Sequence, residues 1–251
     1  MHKHPLFPFG VASHDPLLFC LPYAGGGAST FMPWKRRLSD VGLTPVQYPG
    51  HETRLEEACA DDLDALVTEL AEAVAAQVAH RRRYGLLGYS MGARLAFAVA
   101  HRLAALGAPP PSALHVIAHS APNAAPARAG VARLPDADLL AHVRAYDGTP
   151  DDVFDHPDLV AMMLPILRAD FALVEQTVTQ EPLDCPILAY AGIADRAASP
   201  DAMHDWQGFT RSTFLLRRFD GGHFFARGNT DFLTTLAADI HGWSRQGAVT
   251  P

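Results

Sequence analysis

Gly88-Tyr89-Ser90-Met91-Gly92 is the stretch that decides the fold, because a short apolar run, residues 84–87, precedes it and a helical pattern, residues 93–106, follows it. It is a G-x-S-x-G sequence between a strand and a helix. The backbone of such a turn is too tight for side chains at its flanking positions, so glycines occupy them and the serine hydroxyl is exposed. We therefore predict that Ser90 is a nucleophile.

The pentapeptide alone is a weak signal, because glycine and serine are common enough for it to arise by chance in a chain of this length. The helix after it strengthens the prediction. Its apolar residues recur at three- and four-residue spacing, and Gly107 stands where a C-terminal cap belongs. An ordinary loop serine is the alternative.

Length and composition favour one domain with an insertion. The chain has 251 residues, of which 49% are hydrophobic and 19% charged. No apolar run approaches the roughly 20 residues of a membrane span, and no apolar signal core follows Met1. We expect a cytoplasmic protein without a membrane partner.

Charge and cysteine content exclude two classes of function. A net charge of −7 provides no general attraction to nucleic acid. Cys20, Cys59 and Cys185 lack the spacing of metal ligands, and an odd number argues against a disulfide framework. We predict no metal site and no nucleic-acid partner.

Short apolar strands alternate with helical patterns along most of the chain. The strand candidates are residues 17–21, 44–48, 83–87, 114–118, 187–191 and 213–219. Asp61 or Asp62 caps the helix between the second and third candidates. This order predicts an α/β fold with a mainly parallel central sheet flanked by helices.

The interval from about residue 128 to 180 departs from this alternation, since it has helical patterns and no convincing strand. The predicted helical pieces are residues 135–146, 157–164 and 165–178, with a turn at Asp147-Gly148-Thr149-Pro150. An insertion at this point would hang over the strand ends as a lid. A packing appendage is the alternative.

A serine nucleophile requires a base and an acid that orients the base. In this kind of fold they follow in the order serine, acid, histidine, on loops that leave the carboxyl ends of strands. His223 follows the last strand candidate through Asp220-Gly221-Gly222, and Asp195 follows the fifth through Gly192-Ile193-Ala194. We predict His223 as the base and Asp195 as the acid.

The other histidines and acids fit less well. His119 follows a strand but precedes every late acid, so a pocket or structural role suits it better. His51 and His204 lie in loop or helix context without comparable support. The rejected acids are Asp184, at the wrong end of its strand, Asp201 and Asp205, in a predicted helix, and Asp220, too close in sequence to His223.

Acyl chemistry at Ser90 also requires two backbone N–H groups for the oxyanion that develops on the substrate carbonyl. Met91, after the nucleophile, is one predicted donor. Ala24, in the glycine-rich loop after the first strand, is the other. Gly25-Gly26-Gly27 could instead cradle a dinucleotide, but it lacks the G-x-G-x-x-G spacing.

Four separated segments resemble one family. They are Leu21-Pro22-Tyr23-Ala24-Gly25-Gly26, Tyr48-Pro49-Gly50-His51-Glu52-Thr53-Arg54, Gly88-Tyr89-Ser90-Met91-Gly92-Ala93 and Gly221-Gly222-His223-Phe224-Phe225. Together they are similar to the type II thioesterases of nonribosomal peptide and polyketide synthases, within the α/β-hydrolase superfamily. The stretch between Leu134 and Phe171 looks like the lid of that family. The chain departs from the family at Tyr89, often histidine, and at His51, often arginine.

The resemblance implies the triad Ser90, Asp195 and His223, the oxyanion amides of Ala24 and Met91, and no cofactor. It implies an acyl or aminoacyl thioester substrate on the phosphopantetheine arm of a carrier protein. Substrate contacts are expected from Tyr23, Gly25, Tyr89 and Phe224. A positive docking surface for the acidic carrier would come from Lys35-Arg36-Arg37 or Arg81-Arg82-Arg83, although such runs are often only solvated.

Three other functions remain open. A carboxylesterase or lipase for small esters, and a medium-chain acyl-carrier-protein hydrolase, would use the same triad. A hydrolase-fold binding protein would bind a small apolar ligand without turnover, and a broken triad would mark it. We expect a monomer.

Overall fold

The computed structural model describes residues 4–79, 83–124 and 130–246, and in this part of the chain the strands form one parallel sheet. They are β1 (Leu17–Leu21), β2 (Gly42–Pro45), β3 (Tyr84–Tyr89), β4 (Leu114–Ile117), β5 (Ile187–Gly192) and β6 (Phe214–Phe219). The spatial order is β2-β1-β3-β4-β5-β6, and every neighbouring pair is parallel. The predicted fold class is confirmed.

Helices cover both faces of this sheet. They are α1 (Leu63–Val78), α2 (Met91–Ala105), α3 (Asp136–Arg144), α4 (Pro157–Glu175), α5 (Pro200–His204) and α6 (Thr230–Gln246). Apolar residues of α1, α2 and α5 pack on one face, while α6 and a 3-10 segment (Ala28–Arg36) pack on the other. Because both faces are covered, β1 is an unbroken apolar run, Leu-Leu-Phe-Cys-Leu, that is buried throughout.

Local sequence signals position two of these elements. The carboxylate of Asp62 accepts a hydrogen bond from the Ala65 N–H and caps α1, which decides between the two predicted caps. The second strand lies at Gly42–Pro45 rather than at the predicted 44–48. Gly42 does not favour strands by itself, but a side chain there would collide with the His14 carbonyl.

The insertion between β4 and β5 contains a 3-10 turn (Val131–Arg133), α3, a second 3-10 turn (Asp151–Asp155) and α4. It has a small apolar core of its own, centred on Val131, Leu139, Val143 and Leu167. Residues 128 and 129, where the predicted insertion begins, lie outside the described residues.

The predicted break between two helices at Pro165 is wrong, because α4 continues through that residue. Proline removes the hydrogen bond to the carbonyl four residues earlier, on Ala161. Both Pro165 and Ala161 are exposed, so water can satisfy this carbonyl. Among the helices that the structure describes, none is both long and apolar enough to cross a membrane.

Candidate active site

Ser90 lies at the carboxyl edge of the sheet, between β3 and α2, in a backbone conformation that side chains rarely adopt. Its φ is 52° and its ψ is −118°. A side chain at Gly88 would overlap the backbone of Gly92 and Ala93, and a side chain at Gly92 would overlap the Leu21 carbonyl. These close approaches explain both glycines of the motif and the exposed direction of the serine hydroxyl.

The structure brings Ser90, His223 and Asp195 together in hydrogen-bonding contact. Oγ of Ser90 lies 2.9 Å from Nε2 of His223, and Nδ1 of His223 lies 2.8 Å from Oδ2 of Asp195. Since a carboxylate only accepts, Nδ1 carries the proton. Nε2 is then free to accept the hydroxyl proton of Ser90.

Asp195 is anchored on both of its oxygens. It is only 4% exposed, and its Oδ1 accepts the N–H groups of Ala197 and Ala198 at 2.8 and 3.1 Å. Burial alone would raise the pKa of this carboxyl, but the His223 contact and the two amides outweigh burial and lower the pKa. The acid is therefore held as the carboxylate.

The loops that carry Asp195 and His223 are joined to each other. The Ala194 N–H donates to the Gly221 carbonyl at 2.9 Å, and the Ile193 N–H donates to the Phe219 carbonyl at 2.8 Å. A side chain at Gly192 would overlap the Gly222 carbonyl. These contacts fix the distance between acid and base before any substrate binds.

Two backbone amides near Ser90 have no protein acceptor within the described chain. Met91 begins α2, and the first N–H of a helix has no intrahelical partner. The Ala24 N–H donates to no described residue, whereas the next two amides of its loop do: Gly25 to Asp170 and Gly26 to Tyr23. Ala24 and Met91 both line the cavity at Ser90. Both predicted oxyanion donors are thus available to a ligand.

A cavity of about 540 Å³ opens beside Ser90 and is partly roofed by the insertion. Its roof includes Val143, Tyr146, Met163, Leu167 and Phe171. Its other walls include Tyr23, Ala24, Gly25, Met91, Arg94, His119 and Phe224. The surface is largely apolar with a few polar groups, as in sites for small organic ligands.

Tyr89 requires a correction, because it was expected to contact substrate. It is fully buried, does not line the cavity, and donates from its hydroxyl to the His223 carbonyl at 3.0 Å. The side chain before Ser90 points to the interior because successive side chains of a strand alternate in direction. Tyr89 therefore holds the histidine loop in place.

A family model of the thioesterase domain matches residues 16–243. The chain belongs to the thioesterase domain family. The curated relative linear gramicidin dehydrogenase LgrE of Brevibacillus parabrevis is 32% identical over 237 residues, covering 92% of this chain and 89% of LgrE.

Two solved structures agree with this family in sequence and fold. RedJ, a thioesterase from the prodiginine biosynthetic pathway of Streptomyces coelicolor, is 35% identical with a TM-score of 0.83, covering 95% of this chain and 93% of RedJ. BorB, a type II thioesterase from the borrelidin biosynthetic cluster, is 34% identical with a TM-score of 0.83, covering 96% of this chain and 99% of BorB.

The thioesterase also has site residues that sequence reasoning missed. The ring of Tyr146, in the insertion between β4 and β5, lies 4.7 Å from the His223 ring, centre to centre. The guanidinium of Arg227 lies 4.1 Å from the centre of the Phe224 ring and donates to the Tyr23 hydroxyl at 2.6 Å. Neither residue belongs to a motif, so only the fold reveals them.

His51 was set aside on sequence grounds, yet in the thioesterase it is buried beside the cavity loop. Its Nε2 lies 3.0 Å from Oδ2 of Asp170, on α4, and the same oxygen accepts the Gly25 N–H at 2.6 Å. No local pattern indicates this contact, because His51 and Asp170 lie 119 positions apart in the chain.

The two predicted basic runs differ in position. Lys35, Arg36 and Arg37 are exposed. Arg81 and Arg82 lie outside the described residues, and Arg83 pairs with Asp15 at 2.7 Å. Because Arg83 directly precedes β3, it lies at the amino edge of the sheet, opposite Ser90. No group of metal-ligating side chains occurs in the part of the chain that the structure describes.

Proposed function

We propose that the chain hydrolyses acyl or aminoacyl thioesters on the phosphopantetheine arm of carrier proteins, and so releases stalled or misprimed groups from a peptide or polyketide synthase. The observation that carries the proposal is the Ser90–His223–Asp195 contact at the mouth of an apolar cavity, in a chain of the thioesterase family. RedJ and BorB are described as thioesterases of biosynthetic pathways, which supports a role for this chain beside a synthase.

In the first half of the reaction, Oγ of Ser90 attacks the thioester carbonyl while Nε2 of His223 takes the hydroxyl proton. The Ala24 and Met91 amides donate to the oxyanion of the tetrahedral intermediate. When this intermediate collapses, the carbon–sulfur bond breaks and Nε2 gives its proton to the departing sulfur. Asp195 stabilises the imidazolium that exists between the two transfers.

In the second half, water attacks the acyl-serine and gives a proton to Nε2 of His223. The same amides hold the second oxyanion. Collapse of this intermediate breaks the bond to Oγ of Ser90, which recovers the proton from His223, and the free acid leaves. Because a thiol is a good leaving group, we expect deacylation to limit turnover.

Arg227 is the cation best placed to meet the carrier. It is exposed at the cavity, stacks on Phe224, and forms no ion pair with a described carboxylate. A positive charge at this position favours the approach of an acidic partner. A monomer in the cytoplasm is our expectation for this activity, and both points stay predictions.

The alternative functions differ from the proposed one in the leaving group or in the reaction. A carboxylesterase and a medium-chain acyl-carrier-protein hydrolase share the triad, so only substrates separate them from the proposal. The name of LgrE denotes a redox enzyme, but this chain contains neither a G-x-G-x-x-G nor a Walker A sequence, and we do not propose a dehydrogenase.

The test compares specificity constants for acyl-carrier-protein thioesters with those for p-nitrophenyl esters of the same acyl groups. We expect the thioesters to be preferred, and the Ser90→Ala variant to lose several orders of magnitude on both. A clear preference for the oxygen esters would favour the esterase. A folded wild-type protein whose Ser90 resists a fluorophosphonate probe would instead favour the binding protein.

A further inference from the structure

A buried acid–histidine pair connects the lid to the loop that carries the Ala24 amide. Asp170 is 2% exposed and His51 is 3% exposed, and the two lie 3.0 Å apart. Asp170 belongs to α4, His51 follows β2, and Gly25 follows β1. The Gly25 N–H donates to Oδ2 of Asp170 at 2.6 Å, so a single carboxylate oxygen joins the three segments.

Both ring nitrogens of His51 face oxygen atoms. Nδ1 faces the Pro49 carbonyl at 2.9 Å, and Nε2 faces Asp170 at 3.0 Å. A carbonyl and a carboxylate only accept, so a neutral imidazole would turn one lone pair toward an acceptor. The arrangement is satisfied when the pair holds this proton, as imidazolium and carboxylate.

Few other ionisable groups face this pair within the described residues. Glu52 is next to His51 in sequence; its carboxylate accepts the Ser29 N–H at 3.1 Å, and its negative charge adds to the rise in the pKa of His51, after Asp170 and the Pro49 carbonyl. The Tyr48 ring lies 5.8 Å from the His51 ring, and its hydroxyl donates to the Pro22 carbonyl. Cys59 lies close enough for the charge of Asp170 to raise the pKa of its thiol, second to burial.

Burial opposes a charge on His51, but the Asp170 contact outweighs it, and the pKa of His51 is raised above the ordinary 6.5. With a raised folded-state pKa, the stabilisation from this pair is fully present below 6.5. It is lost as the pH rises through the higher value of the folded protein. The loss of this stabilisation is therefore expected at alkaline pH.

We propose that Asp170, neutralised by His51, is a positioning group for the oxyanion site, acting through the Gly25 amide on its neighbour Ala24. The hydrogen bond fixes the plane of the Ala24–Gly25 peptide and so restricts the direction of the Ala24 N–H. Gly25 itself has a φ of +74°, a conformation that glycine adopts without steric cost, so the hydrogen bond to Asp170 supplies the restraint that the residue itself lacks.

Neutralisation by His51 is a necessary part of this arrangement. An unpaired carboxylate beside the oxyanion loop would repel the negative charge that develops on the substrate oxygen. The imidazolium cancels that charge while leaving the Oδ2 acceptor for Gly25. His51 and Asp170 thus serve the transition state without touching the substrate.

The proposal rests on the proposed thioesterase activity, so one readout avoids turnover. In wild type and variants we would measure kcat and KM for an acyl-pantetheine thioester, and the rate at which a fluorophosphonate labels Ser90. The variants are Asp170→Ala, which removes the acceptor, Asp170→Asn, which keeps an acceptor without charge, and His51→Arg, which keeps a cation at every pH. Thermal unfolding identifies variants that do not fold.

We expect Asp170→Ala to lower kcat and the labelling rate by about 10- to 100-fold, since loss of an oxyanion donor outright costs ~10²–10³. KM should change little, and Asp170→Asn should recover part of the loss. Wild-type kcat should fall at alkaline pH, and His51→Arg should remove that fall.

Wild-type labelling rates in folded Asp170→Ala, or an unchanged alkaline fall in His51→Arg, would overturn the proposal. If Asp170→Ala does not fold, the pH profile of His51→Arg decides. Absence of thioester hydrolysis by the wild type would refute the proposed function instead, while the labelling rates would still test the positioning role.

Discussion

At the scale of single residues, Ser90 shows how strain and reactivity are linked. Its φ of 52° and ψ of −118° place the hydroxyl within 2.9 Å of His223, at a conformational cost of about 1–3 kcal/mol. Gly88 and Gly92 permit the turn because their neighbours leave no room for side chains. The sequence predicted this conformation because G-x-S-x-G stands between a strand and a helix.

This strain makes the stability of two inactive variants differ. Ser90→Gly adopts the backbone conformation without a Cβ, whereas Ser90→Ala keeps the Cβ and loses only the hydroxyl. We expect the free energy of unfolding in urea to be about 1 kcal/mol higher for Ser90→Gly. An equally stable or more stable Ser90→Ala would show that the turn is not strained.

Arg227 should matter more for the carrier than for the acyl group. We expect Arg227→Gln to raise KM for a carrier-bound thioester by about 3- to 10-fold, and the effect should shrink at high salt. KM for the same acyl group on free pantetheine should change less, because free pantetheine brings no acidic surface to Arg227. Lys35→Ala, which removes a charge from the exposed 35–37 run, is the matched control. A larger effect from Lys35→Ala would indicate that residues 35–37, and not Arg227, form the docking surface.

At the scale of elements, the loops after β3, β5 and β6 carry Ser90, Asp195 and His223 to one edge of the sheet. This arrangement could be predicted from the order of the three residues in the sequence, because parallel strands present all their carboxyl ends at the same edge. For the insertion, the sequence predicted helices but not their contacts. Its contacts depend on pairs far apart in sequence, such as Tyr146 with His223, and His51 with Asp170.

Gly148 lies where the inserted segment meets Phe224 and Arg227. A Cβ at this position would overlap the Phe224 ring, and the Gly148 carbonyl accepts a hydrogen bond from Arg227. We expect Gly148→Ala to lower kcat/KM for carrier-bound thioesters by about tenfold, because either the inserted segment or the Phe224 ring must move to make room for the new Cβ. Thermal stability should change little.

Gly242→Ala is the control for this variant, because nothing lies within 4 Å of a Cβ at Gly242 in α6. It should leave kcat/KM unchanged. Wild-type kinetics in Gly148→Ala would mean that the lid does not depend on a close fit against Phe224.

At the scale of the whole molecule, a parallel sheet covered on both faces holds Ser90, Asp195 and His223, two amides without an acceptor among the described residues, and the inserted helices at one end. Composition and alternation sufficed to predict the sheet, and the triad followed from its topology. The prediction that Tyr89 contacts substrate was wrong, because the motif shows that Tyr89 is next to Ser90 but not whether its side chain faces the cavity or the interior. The pair of His51 and Asp170 needs the folded lid, and no linear pattern encodes it.

Under the proposed function, Ser90 removes acyl groups from carrier-bound phosphopantetheine. Mass spectrometry of carrier domains loaded with different acyl groups, before and after exposure to the wild type and to Ser90→Ala, tests this removal. We predict that the wild type returns the carrier to the free-thiol mass while the variant leaves the acyl group in place. Carriers that keep every acyl group with the wild type, or lose them equally with Ser90→Ala, would contradict the claim.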